Sequence, residues 1–494
     1  MEEAPRDFGL SRAVATLVFV FIVAWPLAQI FHRVDFGMPI PPGLFIVAEE
    51  SFAQATWSLL ASALIGIPLG IFYSGVWSRW LRAFSIATFS MPVLLVVGMF
   101  SLVFRGTGFR FGLPTVIAAH TFLNAPWIAL ATSEGIRSVP RTWVDAARTL
   151  GATRTRVFFE IELGWIARRV AFAAAQVFAL CLMSFAIVLV LGGGPPVETL
   201  ETEIFAAVRG SGLEISHAAW FAFAQLVIAA IPLILVAGLR APEDFRDSLN
   251  LRMAPKLRGS SREFFAHAVA ATWLFLPGVC FLRGVSFDTL GELFGNAELR
   301  AAIGVSLTIA VSASLVSLAF GGIFALGART SRFVRMIAVI PAGLSPLMIA
   351  LGFFLAYTRF IDPFEGSLPG MVLVQATLFL PFALRFFLPL LDEGKSGPRR
   401  DLQRAARTLG ASRFTAWRKL EGPRWRAAGL RLMALVFVWS FSELAAASFF
   451  GSERLTTLGV LLLRWLGQYR FAEVNAVLFG IYLFSTAVLL FIRE

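Results

Sequence analysis

Five stretches of this chain, Thr16–Phe31, Leu59–Tyr73, Val170–Leu191, His217–Leu239 and Val474–Ile492, run almost without charge. Each approaches or exceeds the ~20 apolar residues that cross the hydrocarbon of a bilayer as a helix. Hydrocarbon offers backbone groups no water, so only helices, or barrels closed on themselves, can span it. Barrel strands alternate apolar and polar positions over about ten residues, and unbroken runs of this length do not. The expected fold class is therefore an all-α polytopic membrane protein. Composition agrees, because 57% of the 494 residues are hydrophobic and 15% are charged, too few charges to clothe a soluble domain of this size.

Extending the same reading gives about twelve spans, near 12–31, 56–76, 84–104, 114–133, 169–192, 216–238, 265–283, 302–327, 334–358, 369–391, 427–450 and 472–491. An even count puts both termini on one side, and most Lys and Arg fall in the loops of that side, which makes it the cytoplasm. The formal net charge of +12 thus reports membrane topology, and no nucleic-acid partner is expected; lipid is the surrounding partner. Met1–Arg12 leads into a run followed by no small-residue cleavage site, so the first helix is expected to stay uncleaved. Cys181 and Cys280 lie in or beside apolar segments at no metal or redox spacing and read as small packing residues.

The chain repeats itself. Ala146-Ala-Arg-Thr-Leu-Gly-Ala152 recurs letter for letter as Ala405-Ala-Arg-Thr-Leu-Gly-Ala411. Leu113-Pro114 with Pro126 corresponds to Leu368-Pro369 with Pro381, Pro92 with Gly98 to Pro346 with Gly352, and Ser184-Phe185 is paired with Ser440-Phe441. A period this long means duplicated domains. The expected organisation is a first six-helix half over 1–245, a basic cytoplasmic linker over 246–262 and a second six-helix half over 263–494. Both halves carry their motif in a loop of the same side, as parallel repeats do.

The repeated heptamer lies in the two longest cytoplasmic loops, 134–168 and 392–426. Each reads as a short helix, a glycine break and a second amphipathic helix, presenting arginines and bulky apolar side chains to a partner. An acidic residue, two alanines, a glycine and then Ile-x-Leu at this spacing resemble the EAA loop of ABC importer permeases. In the first copy Asp145, Ala146, Ala147, Gly151, Ile161 and Leu163 match; in the second Ala405, Ala406, Gly410 and Pro423 do. Arg404 stands where the second copy should have its acid, and Gly164 replaces the proline of the first. The resemblance implies the type I ABC importer permease fold. It also implies coupling helices, near Arg148–Phe158 and Arg407–Trp417, that dock on two copies of a cytoplasmic ATPase. ATP would be used by those partners, and this chain would bind no cofactor of its own.

Fused two-half permeases of this kind include those for thiamine and for ferric iron. Ser184-Phe185-Ala186 through Leu191-Gly-Gly-Gly-Pro195, then Glu198-Thr-Leu-Glu-Thr-Glu-Ile-Phe205, is similar to the thiamine permeases. So are Phe450-Gly-Ser452 and Thr457-Leu458 through Leu466-Gly-Gln-Tyr-Arg470. The implied activity is import of thiamine or a phosphorylated form, with ferric iron or another small solute as the alternative. An extracytoplasmic binding protein would deliver it to loops around 32–55, 193–215, 284–301 and 451–471. Glu443 falls inside the expected eleventh span, where a carboxylate is costly and should face the interior or a cavity. It is a candidate residue of the translocation path for a cationic solute, and equally a candidate for a neighbour's partner or a helix cap. His120, Asn124, Gln176, Gln225 and Gln375 are polar at membrane depth, where hydrogen bonding between helices accounts for them at least as well as contact with the solute.

Enzyme chemistry finds little support. Gly394-Lys395-Ser396 imitates the tail of a phosphate-binding loop, but Pro389 occupies the place of its first glycine and no strand precedes it. His32, His120, His217 and His267 are scattered, so no metal site is expected. A competing class, the ion-coupled secondary transporter, also uses twelve helices in two halves, but it needs no docking loops and usually carries intramembrane charge.

Overall fold

The computed structural model describes residues 7–34, 36–37, 39–76, 79–104, 112–192, 197–210, 213–237, 261–283, 285, 287–329, 331–360, 364–393 and 398–491. The linker expected at 246–262 lies outside these residues except for its last two positions. Gly193-Gly194-Pro195 and Gly394-Lys395-Ser396 lie outside them as well. Among the described residues every regular element is helical.

The chain runs through α1 (Asp7–Phe19), a π-helical turn at Val20–Ala24, α2 (Trp25–Arg33), α3 (Leu44–Ser74), α4 (Arg79–Phe89), α5 (Val93–Phe104) and α6 (Leu113–Ser138). It continues through α7 (Arg141–Thr149), α8 (Arg154–Val157), α9 (Leu163–Leu182), α10 (Phe185–Leu191), α11 (Leu200–Arg209) and α12 (Ile215–Ala237). The second series is α13 (Ser261–Leu282), α14 (Phe287–Gly295), α15 (Ala297–Ala328), α16 (Arg332–Ile337), α17 (Pro346–Tyr357), α18 (Leu368–Leu378) and α19 (Leu380–Glu393). It ends with α20 (Pro398–Thr408), α21 (Arg413–Leu420), α22 (Gly422–Phe441), α23 (Ala445–Phe450), α24 (Leu458–Gly467) and α25 (Phe471–Phe491).

Among the described residues, eight helices are long and apolar enough to cross a membrane singly, and up to eleven spans result if each bent pair counts as one. The bent pairs fall at the expected spans 84–104, 334–358 and 369–391, with bends of 82°, 109° and 47°. The expected span at 427–450 is the exception. It divides into α22 and α23, and α22 opens with Arg424, Arg426 and Arg431, which lower its apolar character below that of a plain span. The 56–76 span starts earlier than hydropathy suggests, because α3 begins at Leu44 and carries Glu49 and Glu50 on exposed turns. Three of the four segments expected as outer loops hold a short helix: α11, α14 and α24.

Helix α3 shows how apolar segments find partners without a hydrophobic drive between them. Ser58, Ser62, Gly66 and Gly70 repeat every fourth residue, so they share one helical face, and all four are buried. A β-carbon at Gly70 would meet Ala129 O and Thr132 Cβ of α6 at 2.5 Å, and one at Gly66 would meet Ala125 O at 2.7 Å. Two backbones approach this closely only where side chains are small, and van der Waals contact then supplies the association.

The helices gather into two compact units, neither continuous in sequence. One comprises Met1–Gly37, Leu213–Ala219 and Asn296–Arg464; the other comprises Met38–Gly212, Trp220–Gly295 and Trp465–Glu494. In the first unit α1 packs on α15 and α2 on α17, with Pro26 so near Gly352 that a β-carbon there would lie 3.0 Å from Pro26 Cβ. Tyr357 also donates its hydroxyl to Phe21 O at 2.7 Å. In the second unit α13 packs on α4, α5 and α25, Trp273 donates to Phe122 O at 2.9 Å and Gly278 seats the Tyr482 ring.

Candidate functional site

Each copy of the repeated heptamer closes a helix in the same way. In the first, Ala152 N–H donates to Ala147 O at 2.9 Å and Gly151 N–H to Arg148 O at 2.9 Å. In the second, Ala411 N–H donates to Ala406 O and Gly410 N–H to Arg407 O, both at 3.0 Å. This is the Schellman ending, which needs a left-handed residue just past the helix. Gly151 has φ +84° and Gly410 φ +91°, a conformation that glycine reaches without penalty. The next helix then starts on a hydroxyl cap: Thr153 accepts Arg156 N–H at 3.3 Å, and Ser412 accepts Thr415 N–H at 3.1 Å. A helix stop, a glycine and a helix start within a few residues make a sharp corner in both copies.

The corner turns its apolar side chains outward. Leu150 and Leu409, both directly before the glycine, are each 88% exposed. Trp143 and Phe159 in the first copy, and Leu402, Phe414 and Trp417 in the second, are exposed as well. Six residues beyond each glycine one side chain anchors the corner instead, Val157 at 2% and Ala416 at 4% exposure. The arginines Arg148 and Arg407 stand exposed beside the leucines. An apolar tip flanked by cations is a surface that gains by being covered.

The remaining motif residues are divided between tip and anchor. Asp145, Ala146 and Ala405 are exposed, while Ala147, Ala406 and Ile161 are half-buried; Leu163 is 38% exposed. Arg404 lies 3.9 Å from Asp401, one turn earlier, at an exposed site where such a pair contributes little. Pro423 sits in the first turn of α22, where a missing N–H costs nothing. Gly164 has no such turn to occupy, because the first copy runs as one helical stretch from Arg154 to Leu182. A proline inside it would delete a hydrogen bond. The second helix of the first loop is thus the start of a membrane helix rather than a separate surface helix.

Buried contacts tie each loop to its own unit. Arg169, 7% exposed, reaches Glu134 at 3.6 Å, joining α9 to α6. A β-carbon at Gly135 would lie 2.9 Å from Ile166 Cα. In the second loop, buried Glu421 accepts from Gln403 of α20 at 3.4 Å and pairs with Arg424 of α22 at 3.8 Å, while the Phe387 and Trp425 rings stack at 5.3 Å. These contacts join each corner to neighbouring helices of the same unit.

Glu443 stands at the break between α22 and α23. Its carboxylate accepts from Ala445 N at 2.6 Å, Ala446 N at 2.9 Å and Ala447 N at 3.4 Å, and it hydrogen-bonds the Gln375 side chain of α18. It therefore caps a short helix within the membrane segment. The first copy has the same break between α9 and α10, and helix ends align Ser184 with Glu443. The pairing of Ser184-Phe185 with Ser440-Phe441 is corrected accordingly: Ser440 lies inside α22, whereas Ser184 lies past the end of α9.

The other polar residues bond between helices. His120 Nδ1 lies 2.8 Å from Gln54 Nε2 and 3.0 Å from Ser58 Oγ, joining α6 to α3. Asn124 reaches Cys181 Sγ at 3.5 Å, and Trp127 donates to Gln176 at 3.2 Å. Gln225 donates to Glu201, a fully buried carboxylate of α11 that hydropathy alone does not single out. Its sequence signal is the Glu198-Thr-Leu-Glu-Thr-Glu203 cluster, which shows acids but not which of them turns inward. Among the described residues no three His, Cys, Asp or Glu side chains gather at metal-ligand spacing.

Residues 62–239, from the middle of α3 to the end of α12, match the family described as the binding-protein-dependent transport system inner membrane component. The chain is 27% identical to the thiamine transport system permease protein of Brucella abortus, over 94% of this chain and 90% of the relative. It is 26% identical to the thiamine transport system permease protein of Haemophilus influenzae, over 89% of this chain and 86% of the relative. A molybdate/tungstate transport system permease protein of Pyrococcus abyssi is 27% identical over 43% of this chain and 88% of the relative.

Proposed function

We propose that this chain, a multi-pass inner-membrane permease of the binding-protein-dependent importers, carries thiamine or a phosphorylated form of it into the cell. An extracytoplasmic binding protein delivers the solute, and two copies of a cytoplasmic ATPase, separate chains, supply the energy. Both termini of the permease face the ATPases. The observation that carries the reading is the pair of identical corners, each ending in an 88% exposed leucine beside a left-handed glycine. A secondary transporter has no use for two such surfaces. Thiamine is supported by the named role of relatives that align with nearly the whole chain.

In this mechanism ATP-driven movement of the ATPases displaces α7–α8 and α20–α21. The ties at Glu134, Arg169 and Glu421 pass that displacement to the membrane helices of each unit. Nucleotide can drive the change only by binding the two conformations with different affinity. The two six-helix halves descend from one duplicated ancestor, each supplying one docking corner.

The test is uptake of labelled thiamine and of ferric iron into proteoliposomes holding the permease, its ATPase and its binding protein. Uptake of thiamine that requires both partners is expected. Uptake of ferric iron in its place would keep the importer class and overturn the substrate.

A further inference from the structure

We infer that the break between α22 and α23 is a solute-contact site for a delocalised organic cation, built from Glu443, Gln375 and the neighbouring aromatic side chains of Trp439, Phe379 and Phe382. The inference rests on the reading of the chain as a thiamine permease and assigns that solute a place within one unit.

Capping alone does not account for a carboxylate here. Elsewhere in the chain, Thr153, Ser331, Ser345, Ser367, Ser412 and Asn296 cap helices with neutral oxygens. The equivalent break of the first copy has only Ser184, whose side chain makes no cap bond. An ionisable carboxyl at membrane depth costs far more than a hydroxyl and persists where it serves a function.

The neighbours supply a matching chemistry. Gln375 is 1% exposed and bonds Glu443, yet its Oε1 has no hydrogen-bond partner. A buried carbonyl oxygen without a donor forfeits free energy unless a ligand provides one. One helical turn on, Phe379 meets the Trp439 ring at 5.2 Å, and Phe382 meets the same ring at 5.2 Å and 89°. Trp439 is half-buried on the last turn of α22, directly before the break. The neighbourhood thus offers a carboxyl group, an acceptor without a donor and aromatic rings. That set suits a flat ring carrying positive charge and an N–H donor, because aromatic faces attract cations whose charge is weakly hydrated. A small trivalent ion would demand several anionic oxygens, and this place has one carboxylate. In the first copy the register of Leu113-Pro114 and Leu368-Pro369 puts His120 where Gln375 stands, engaged by Gln54 and Ser58, so the site belongs to the second copy alone.

The test compares uptake efficiency, kcat/KM, for thiamine and for an isostere whose thiazolium is replaced by an uncharged thiophene ring. The complete complex with ATPase and binding protein is used. Both solutes are delivered by the same binding protein to every variant, so a changed ratio belongs to the permease. Glu443→Gln and Trp439→Leu should each lower the thiamine-to-isostere ratio about tenfold, while Trp439→Phe keeps it near wild type. An unchanged ratio in Glu443→Gln and Trp439→Leu, even with total uptake reduced, overturns the inference and leaves capping and packing as the roles of these residues. Failure of wild type to take up thiamine at all overturns the substrate reading along with it.

Discussion

Ser306 of α15 accepts the N–H of Leu458, the first residue of α24, at 2.8 Å. In the other unit Ser51 of α3 accepts the N–H of Leu200, the first residue of α11, at 2.9 Å. Both hydroxyls are buried, at 1% and 0% exposure. The same side-chain type thus holds the same short helix against the long one in both copies. An alanine at either serine would leave a buried amide without a partner, at a cost of about 1–3 kcal/mol. Ser306→Ala should therefore lower resistance to denaturant in detergent by about that amount, and Ser306→Thr should recover part of it. Denaturation midpoints identical for alanine and wild type would show that the bond contributes nothing.

Gly151 and Gly410 have no atom within 4 Å of a built β-carbon, so substitution there meets strain without a clash. A left-handed residue other than glycine costs roughly 1 kcal/mol, with asparagine the mildest and β-branched residues the worst. ATP-coupled uptake should fall in the order Gly, Asn, Ala, Val at either position, with membrane insertion unaffected. Equal activity of the valine variant would mean the corner is not needed in this shape.

The exposed leucines make a separate prediction. Covering a leucine side chain contributes about 1.5–3 kcal/mol, so Leu150→Asp or Leu409→Asp should weaken ATPase binding about tenfold or more, measured by titration of detergent-purified permease with the ATPase. Substituting both should weaken it further. Unaltered binding in the double variant removes the corners from the interface.

Close helix contacts separate rigid from yielding neighbours. A β-carbon at Gly70 meets backbone oxygen and a Cβ at 2.5 Å, whereas one at Gly98 meets the flexible end of Leu478. The Leu478 contact is the cheaper to relieve, because a leucine terminus can rotate and a backbone cannot. Gly70→Ala should destabilise by about 1–3 kcal/mol and Gly98→Ala by less, compared by thermal unfolding in detergent. The reverse order would refute the packing argument.

Much of this architecture is written plainly in the amino-acid order. Seven identical letters disclose the corners, since a Schellman ending needs its glycine and therefore preserves it in the pattern. Apolar runs disclose the spans, but not their partners: nothing in hydropathy says that α1 packs on α15 or α13 on α25. Bends at Phe379 and near Met91 escape a window of fixed length, and Glu49 and Glu50 hide the true start of α3. Glu443 was visible as a charge in an apolar segment, yet its capping of Ala445–Ala447 depends on a break that periodicity does not reveal. The packing of Ser62, Gly66 and Gly70 against α6 has no counterpart in the hydropathy reading.

The central claim is that ATP hydrolysis by separate ATPase chains, docked at the two corners, drives inward transport. The measurement that tests it most directly is uptake of labelled thiamine into proteoliposomes with ATP, with an imposed ion gradient, or with neither, for wild type and for the Gly151→Asp/Gly410→Asp variant. Uptake that needs ATP, ATPase and binding protein, and that vanishes in the variant while insertion is intact, is the predicted result. Uptake driven by the ion gradient without any ATPase, and unimpaired in the variant, would contradict it.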